Sequence, residues 1–63
     1  GEPLPAPLDQ ALRALFQQLH RRSSQLRTAA HGLADPCLEQ LLLELGDDAE
    51  FAAQRLRSFL EGQ

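Results

Sequence analysis

A chain of 63 residues with a net charge of −3 and a single cysteine makes one small domain at most, and at that size folding buries only about 60% of the surface the unfolded chain exposes. One thiol excludes an internal disulfide, two distant histidines argue against a metal site, and the acidic balance argues against nucleic acid, whose binding rests on phosphate neutralisation. Val, Ile, Tyr, Trp, Met, Asn and Lys are all absent. Leu, Ala, Gln, Glu and Arg dominate instead, so the strand-building residue types are missing and the chain reads as all-α, a small helical bundle.

In chain order, residues 1–7, "GEPLPAP", alternate proline with other residues and read as an extended, proline-rich linker end. The abrupt start reads as that of a domain cut from a longer protein, and residues 8–63 as the single domain. From Leu8 onward, Leu8, Leu12, Leu15, Leu19, Leu26 and Leu33 keep helical spacing, with Ala11, Ala29 and Ala30 on the same side. Pro7 suits a helix entry, Asp9 suits the first turn, and Gly32 is expected to end the helix in the left-handed conformation.

Inside that run lies "LHRRSSQL", Leu19–Leu26. Arg22 falls within about 40° of the leucine stripe of a continuous helix, and Ser23 and Ser24 favour helix starts over interiors. No Gly or Pro interrupts the segment, however, and the leucines keep their phase across it. One long helix bent at the serines is the favoured expectation, with Arg22 extending its head to water; two shorter helices are the alternative. A helix of ~24 residues would span about 36 Å, longer than either helix expected to follow it.

Next, "LADPCLEQLLLEL" starts a second helix with Asp35 as N-cap and Pro36 at its first position. Leu38, Leu41, Leu42 and Leu45 are expected to be its buried face and Gly46 its end. A third helix follows in "GDDAEFAAQRLRSFLEG", capped by Asp47 or Asp48, burying Ala49, Ala52, Ala53, Leu56, Phe59 and Leu60. The fold expected is therefore a long N-terminal helix on a two-helix hairpin: three helices, or four if the chain breaks at Ser23–Ser24.

No catalytic group emerges. A nucleophile needs a base and an orienting partner, and Cys37, His20 and His31 share no flanking signature. Cys37 is expected to be a small buried hydrophobe, and the histidines solvated side chains of the outer face. No cofactor is implied. No run approaches the ~20 apolar residues of a membrane span, nothing at the start resembles a signal peptide, and the lone thiol fits a reducing compartment, cytosol or nucleus.

What remains is recognition. Leu43 lies about 140° from Leu38 and Phe51 about 200° from Ala49 on their helices, with Phe16 at the edge of its stripe. Such out-of-phase apolar residues can form a partner patch. Phe16, Leu43 and Phe51 are the candidate partner-binding residues, with Arg22 and Leu26 on the exposed part of the Leu19–Leu33 stripe as the alternative interface. The partner is a helical segment of another protein or a second copy of the chain. "RRSS" resembles the recognition sequence of basophilic kinases with Ser24 as acceptor, where a phosphate beside Arg21 and Arg22 would change charge inside the helix. "LEQLL", Leu38–Leu42, resembles the helical box by which coactivators dock on nuclear receptors, although core packing explains its leucines.

The charge is polarised. Residues 1–31 hold four arginines against Glu2 and Asp9, a balance of +2; residues 32–63 hold two against seven acids, a balance of −5. Such a chain suits head-to-tail pairing or a charged partner. The ending "LLLELGDDAEFAAQRLRSFLE" resembles the second half of ubiquitin-associated and CUE domains, which implies a three-helix ubiquitin binder. Leu15-Phe16-Gln17 stands where those families carry their Met-Gly-Phe or Met-Phe-Pro turn, and Phe59-Leu60 replaces their terminal dileucine. The function expected is a non-catalytic interaction or self-association module, an adaptor or scaffold part of a larger intracellular regulatory protein, with ubiquitin binding as the alternative.

Overall fold

The computed structural model describes residues 3–63 and contains two helices, not three or four. Helix α1 spans Ala6–His31 and helix α2 spans Pro36–Glu61, each of 26 residues. Gly32 to Asp35 join them as a helical hairpin, and no described residue is in a strand. Gly1 and Glu2 of the expected linker lie outside the described residues. Pro3–Pro5 precede the helix, which begins at Ala6 with Pro7 in its first turn.

The expected break at Gly46 does not occur. Helix α2 runs through that glycine, and Asp47 and Asp48 cap nothing. A glycine in a helix interior costs about 1 kcal/mol relative to alanine, and the interhelical contact explains why it is tolerated. Gly46 is buried, and the Ser23 hydroxyl donates to its carbonyl across the hairpin at 2.8 Å. A Cβ at Gly46 would stand 3.3 Å from the Ser23 carbonyl oxygen and 3.2 Å from Arg27 Cγ. The missing side chain is what lets the two backbones approach. Gly32 also differs from expectation: it closes α1 at φ −94°, its N–H donating to the Ala29 carbonyl at 3.2 Å, and no described glycine has a positive φ.

Helix α1 is continuous through Ser23–Ser24, as the unbroken leucine phase requires. Ser23 is not a weak point of the helix, since it is fully buried and bonded to the opposite backbone. The chain turns where capping chemistry is strongest. Asp35 Oδ1 accepts from the backbone N–H of Cys37 at 2.9 Å and of Leu38 at 3.3 Å. Asp35→Ala, which strips both bonds from the helix start, is expected to cost about 1 kcal/mol, measurable as a lower urea midpoint with unchanged slope.

Inward-facing residues alternate spacings of four and three on both helices. On α1 and the turn they are Leu12, Phe16, Leu19, Ser23, Leu26, Ala30 and Leu33; on α2 they are Glu39, Leu42, Gly46, Ala49, Ala53, Leu56 and Leu60, all buried or half-buried. This is the seam of an antiparallel coiled coil, narrowed at its centre by serine, alanine and glycine. It is thin, since Ala30, Ala53 and Leu60 are its only buried hydrophobic residues among those described, the rest being half-buried. The Cα trace measures 49 × 16 × 11 Å with a radius of gyration of 14.6 Å, against about 11 Å for a compact domain of this length.

Candidate interaction surface

A helical hairpin has two broad faces, one on each side of the plane through its helix axes. Interhelical pairs identify one of them. Arg27 Nη2 donates to Asp47 Oδ1 at 2.9 Å, and His20 Nδ1 lies 3.3 Å from Glu50 Oε2. With 100° per residue, Asp9, Arg13, His20 and Arg27 of α1 and Leu43, Glu50, Arg57 and Glu61 of α2 fall on this side of the seam. Arg13 binds Asp9 at 2.8 Å and Arg57 binds Glu61 at 2.9 Å, so the face is a lattice of charge pairs. The hydrogen bond that Arg13 Nε donates to Asp9, followed by the charge of that carboxylate, holds the Arg13 guanidinium pKa above its ordinary value.

On this charged face, Glu50 has its pKa lowered, chiefly because Gln54 Nε2 donates to its carboxylate, with further help from His20 and Arg27 and opposition from partial desolvation. A lowered folded-state pKa contributes stability that is present above the ordinary carboxylate value and lost as the pH falls through the lowered one. Wild-type stability is therefore expected to decline more steeply than that of Glu50→Gln below about pH 5, a small difference read from urea midpoints across the acid range.

The opposite face is apolar. The same rotation places Leu8, Ala11, Leu15, Arg22 and Ala29 of α1 beside Leu38, Leu41, Leu45, Ala52 and Phe59 of α2. Leu8, Leu15, Leu38, Leu41, Leu45 and Phe59 are each 41–51% exposed. Leu38, Leu41 and Leu45 are thus not the buried face expected of them, and Ala52 and Phe59 are exposed as well. Their positions follow from continuing one helical phase across Gly46. Only Arg22 interrupts this face with a charge on α1, and Asp48 and Arg55, seven residues apart, lie at its outer edge on α2.

The residues singled out from sequence do not gather into one patch. Phe16 is half-buried at the seam, its ring stacked on His20 with centroids 6.2 Å apart and planes at 14°. Leu26 is half-buried against Gly46, and Leu43 half-buried toward the charged face. Phe51 is 65% exposed on the outward side of α2, with the Arg55 guanidinium 5.8 Å from its ring centroid. Of the five, only Arg22 lies on the apolar face. Ser24 is exposed, and so is Cys37, contrary to the buried role expected of it.

Other binding features are modest. A shallow depression of about 280 Å³ lies between Arg13, Phe16, Gln17, Arg57, Leu60 and Glu61, and both of its arginines are already paired. Among the described residues no three His, Cys, Asp or Glu side chains converge as metal ligands, and no helix is long and apolar enough to cross a membrane. No protein family, curated protein or solved structure matches the chain. The three-helix fold implied by the likeness to ubiquitin-associated and CUE domains is not adopted. Leu15-Phe16-Gln17 lies inside α1, where those families turn.

Proposed function

We propose that the chain is a non-catalytic protein–protein interaction module that works by laying the apolar face of its hairpin on another helical polypeptide. The observation that carries this reading is the collection of six large apolar side chains on one face, each 41–51% exposed, opposite a face of paired charges. Scattered exposed leucines are ordinary, whereas a contiguous stripe along both helices marks a partner surface. A seam this thin also gains stability from any polypeptide that binds the folded hairpin. Docking of helix on helix is the corresponding mode, and the lone thiol suits a reducing setting such as cytosol or nucleus.

The test is the solvent access of the leucine methyl groups, read with a soluble paramagnetic agent while sedimentation reports the size of the particle. In the folded monomer, Leu8, Leu15, Leu38, Leu41 and Leu45 are expected to be strongly broadened, and in any complex they are expected to be shielded. Shielding of these methyls within a particle that sediments as a single chain would overturn the reading, because the chain would then cover its own leucines.

A further inference from the structure

Resting on that reading of the apolar face, we infer that its occupant is a second copy of this chain. The two hairpins stack face to face with both turns at the same end, so that α1 of each covers α2 of the other in a four-helix bundle. Area is the first support. The chain exposes 4825 Å², whereas a compact monomer of 7.0 kDa exposes about 4,000 Å². The excess of about 800 Å² is what one partner buries in a standard interface, and it lies on a molecule whose broad side measures 49 by 16 Å.

Charge selects the arrangement. Helix α1 holds four arginines against Asp9, a balance of +3, and α2 holds six acids against Arg55 and Arg57, a balance of −4. Two hairpins can stack about a two-fold axis along their length or about one across it. The crosswise axis sets α1 on α1 and α2 on α2, like charge on like. The lengthwise axis sets each basic helix on an acidic one.

Shape agrees with the lengthwise axis. Ser23 bonds Gly46 and His20 meets Glu50, which fixes the level of every residue along the hairpin, and rotation about the long axis preserves those levels. Phe59 then comes level with the partner's Ala11, and Leu41 with the partner's Ala29. Large residues thus meet small ones, the alternation that lets core layers interdigitate. Arg22, the one charge within the α1 stripe, comes level with the partner's Asp48. Under the crosswise axis Arg22 would instead sit level with the partner's Leu15, leaving a buried charge unpaired.

Cys37 supplies a native reporter, being the only cysteine, exposed, and close to the turn. A nitroxide attached there leaves the apolar face untouched. Sedimentation equilibrium is expected to give a dimer, and pulsed dipolar spectroscopy a distance of about 15–30 Å between labels on diagonal helices of one bundle end. A dimer with labels about 35 Å or more apart, the separation of opposite ends of helices about 39 Å long, would overturn the orientation while leaving the interaction reading intact. A strict monomer with no dipolar signal at any concentration would overturn the second copy as occupant, and the methyl experiment would then judge the interaction reading separately.

Discussion

Gly46→Leu is expected to lower the unfolding free energy by about 2–3 kcal/mol, even though leucine is much the better helix former. Propensity alone favours the substitution by about 1 kcal/mol. Opposing it, even the first carbon of the new side chain would meet the Ser23 carbonyl oxygen at 3.3 Å and Arg27 Cγ at 3.2 Å, and the rest has no space at the seam. Overpacking of this kind costs about 1–3 kcal/mol. Splaying the helices also strips the buried Ser23 hydroxyl of its bond to Gly46, another 1–3 kcal/mol, roughly, for an unsatisfied buried group. The thermal midpoint should fall by about 10 °C or more.

Gly46→Ala is the informative companion. Its single methyl gains nearly all of the propensity, and the flexible Arg27 side chain can move aside while the Ser23 backbone cannot, so the net change should stay within about 1 kcal/mol. A leucine variant more stable than wild type would show that the helices do not approach closely at Gly46. Two-state urea unfolding of the three proteins at one protein concentration decides it.

The same glycine shows what the sequence can and cannot reveal. Helix content, the leucine phase through Ser23–Ser24 and the Asp35-Pro36 start are local properties, and local chemistry is enough to read them. "LGDD" is ambiguous locally, because a glycine followed by two acids is also how one helix ends and another is capped. What decides it is Ser23, 23 residues away, whose hydroxyl needs a bare backbone to reach. Placing a break at Gly46 resets the phase of everything after it. Leu38, Leu41 and Leu45 are then assigned to a core and Phe51 to a patch, whereas the unbroken helix exposes the three leucines together and points Phe51 away from them. The signal that corrects this was available: Leu42, Gly46, Ala49, Ala53, Leu56 and Leu60 continue the alternation of four and three without a slip, and two helices joined by a turn would rarely keep it.

Exposure of Cys37 follows from the same correction, since a continuous α2 turns it away from the seam while Leu42 and Gly46 turn toward it. Ser23 is a different kind of miss. A serine in a helix reads as a weak position because its hydroxyl competes for local backbone. Its use across the hairpin, with no cost left in an unpaired group, depends on a partner that only the fold brings near.

Combining Leu41→Glu with Leu45→Glu is expected to abolish self-association while leaving the hairpin's own seam intact. Both leucines are nearly half exposed in the single chain, so neither contributes much to the contact between α1 and α2. In the stacked dimer the exposed half of each becomes buried, which contributes about half of the 1.5–3 kcal/mol that full burial of a leucine is worth, roughly 1 kcal/mol. Four such side chains, two from each copy, come to about 4 kcal/mol, or roughly a thousand-fold weaker dissociation constant, before counting the cost of carboxylates at an apolar contact. Phe51→Glu is the control. It introduces one carboxylate per chain, half the charge of the double variant, at a more exposed aromatic on the same helix, but on the outward side, and should leave the dissociation constant within about threefold, as surface substitutions do. Sedimentation equilibrium of the three proteins checks the contrast. Equal weakening by both sets of changes would attribute the effect to added negative charge on an already acidic helix, and the apolar face would lose its claim to be the contact.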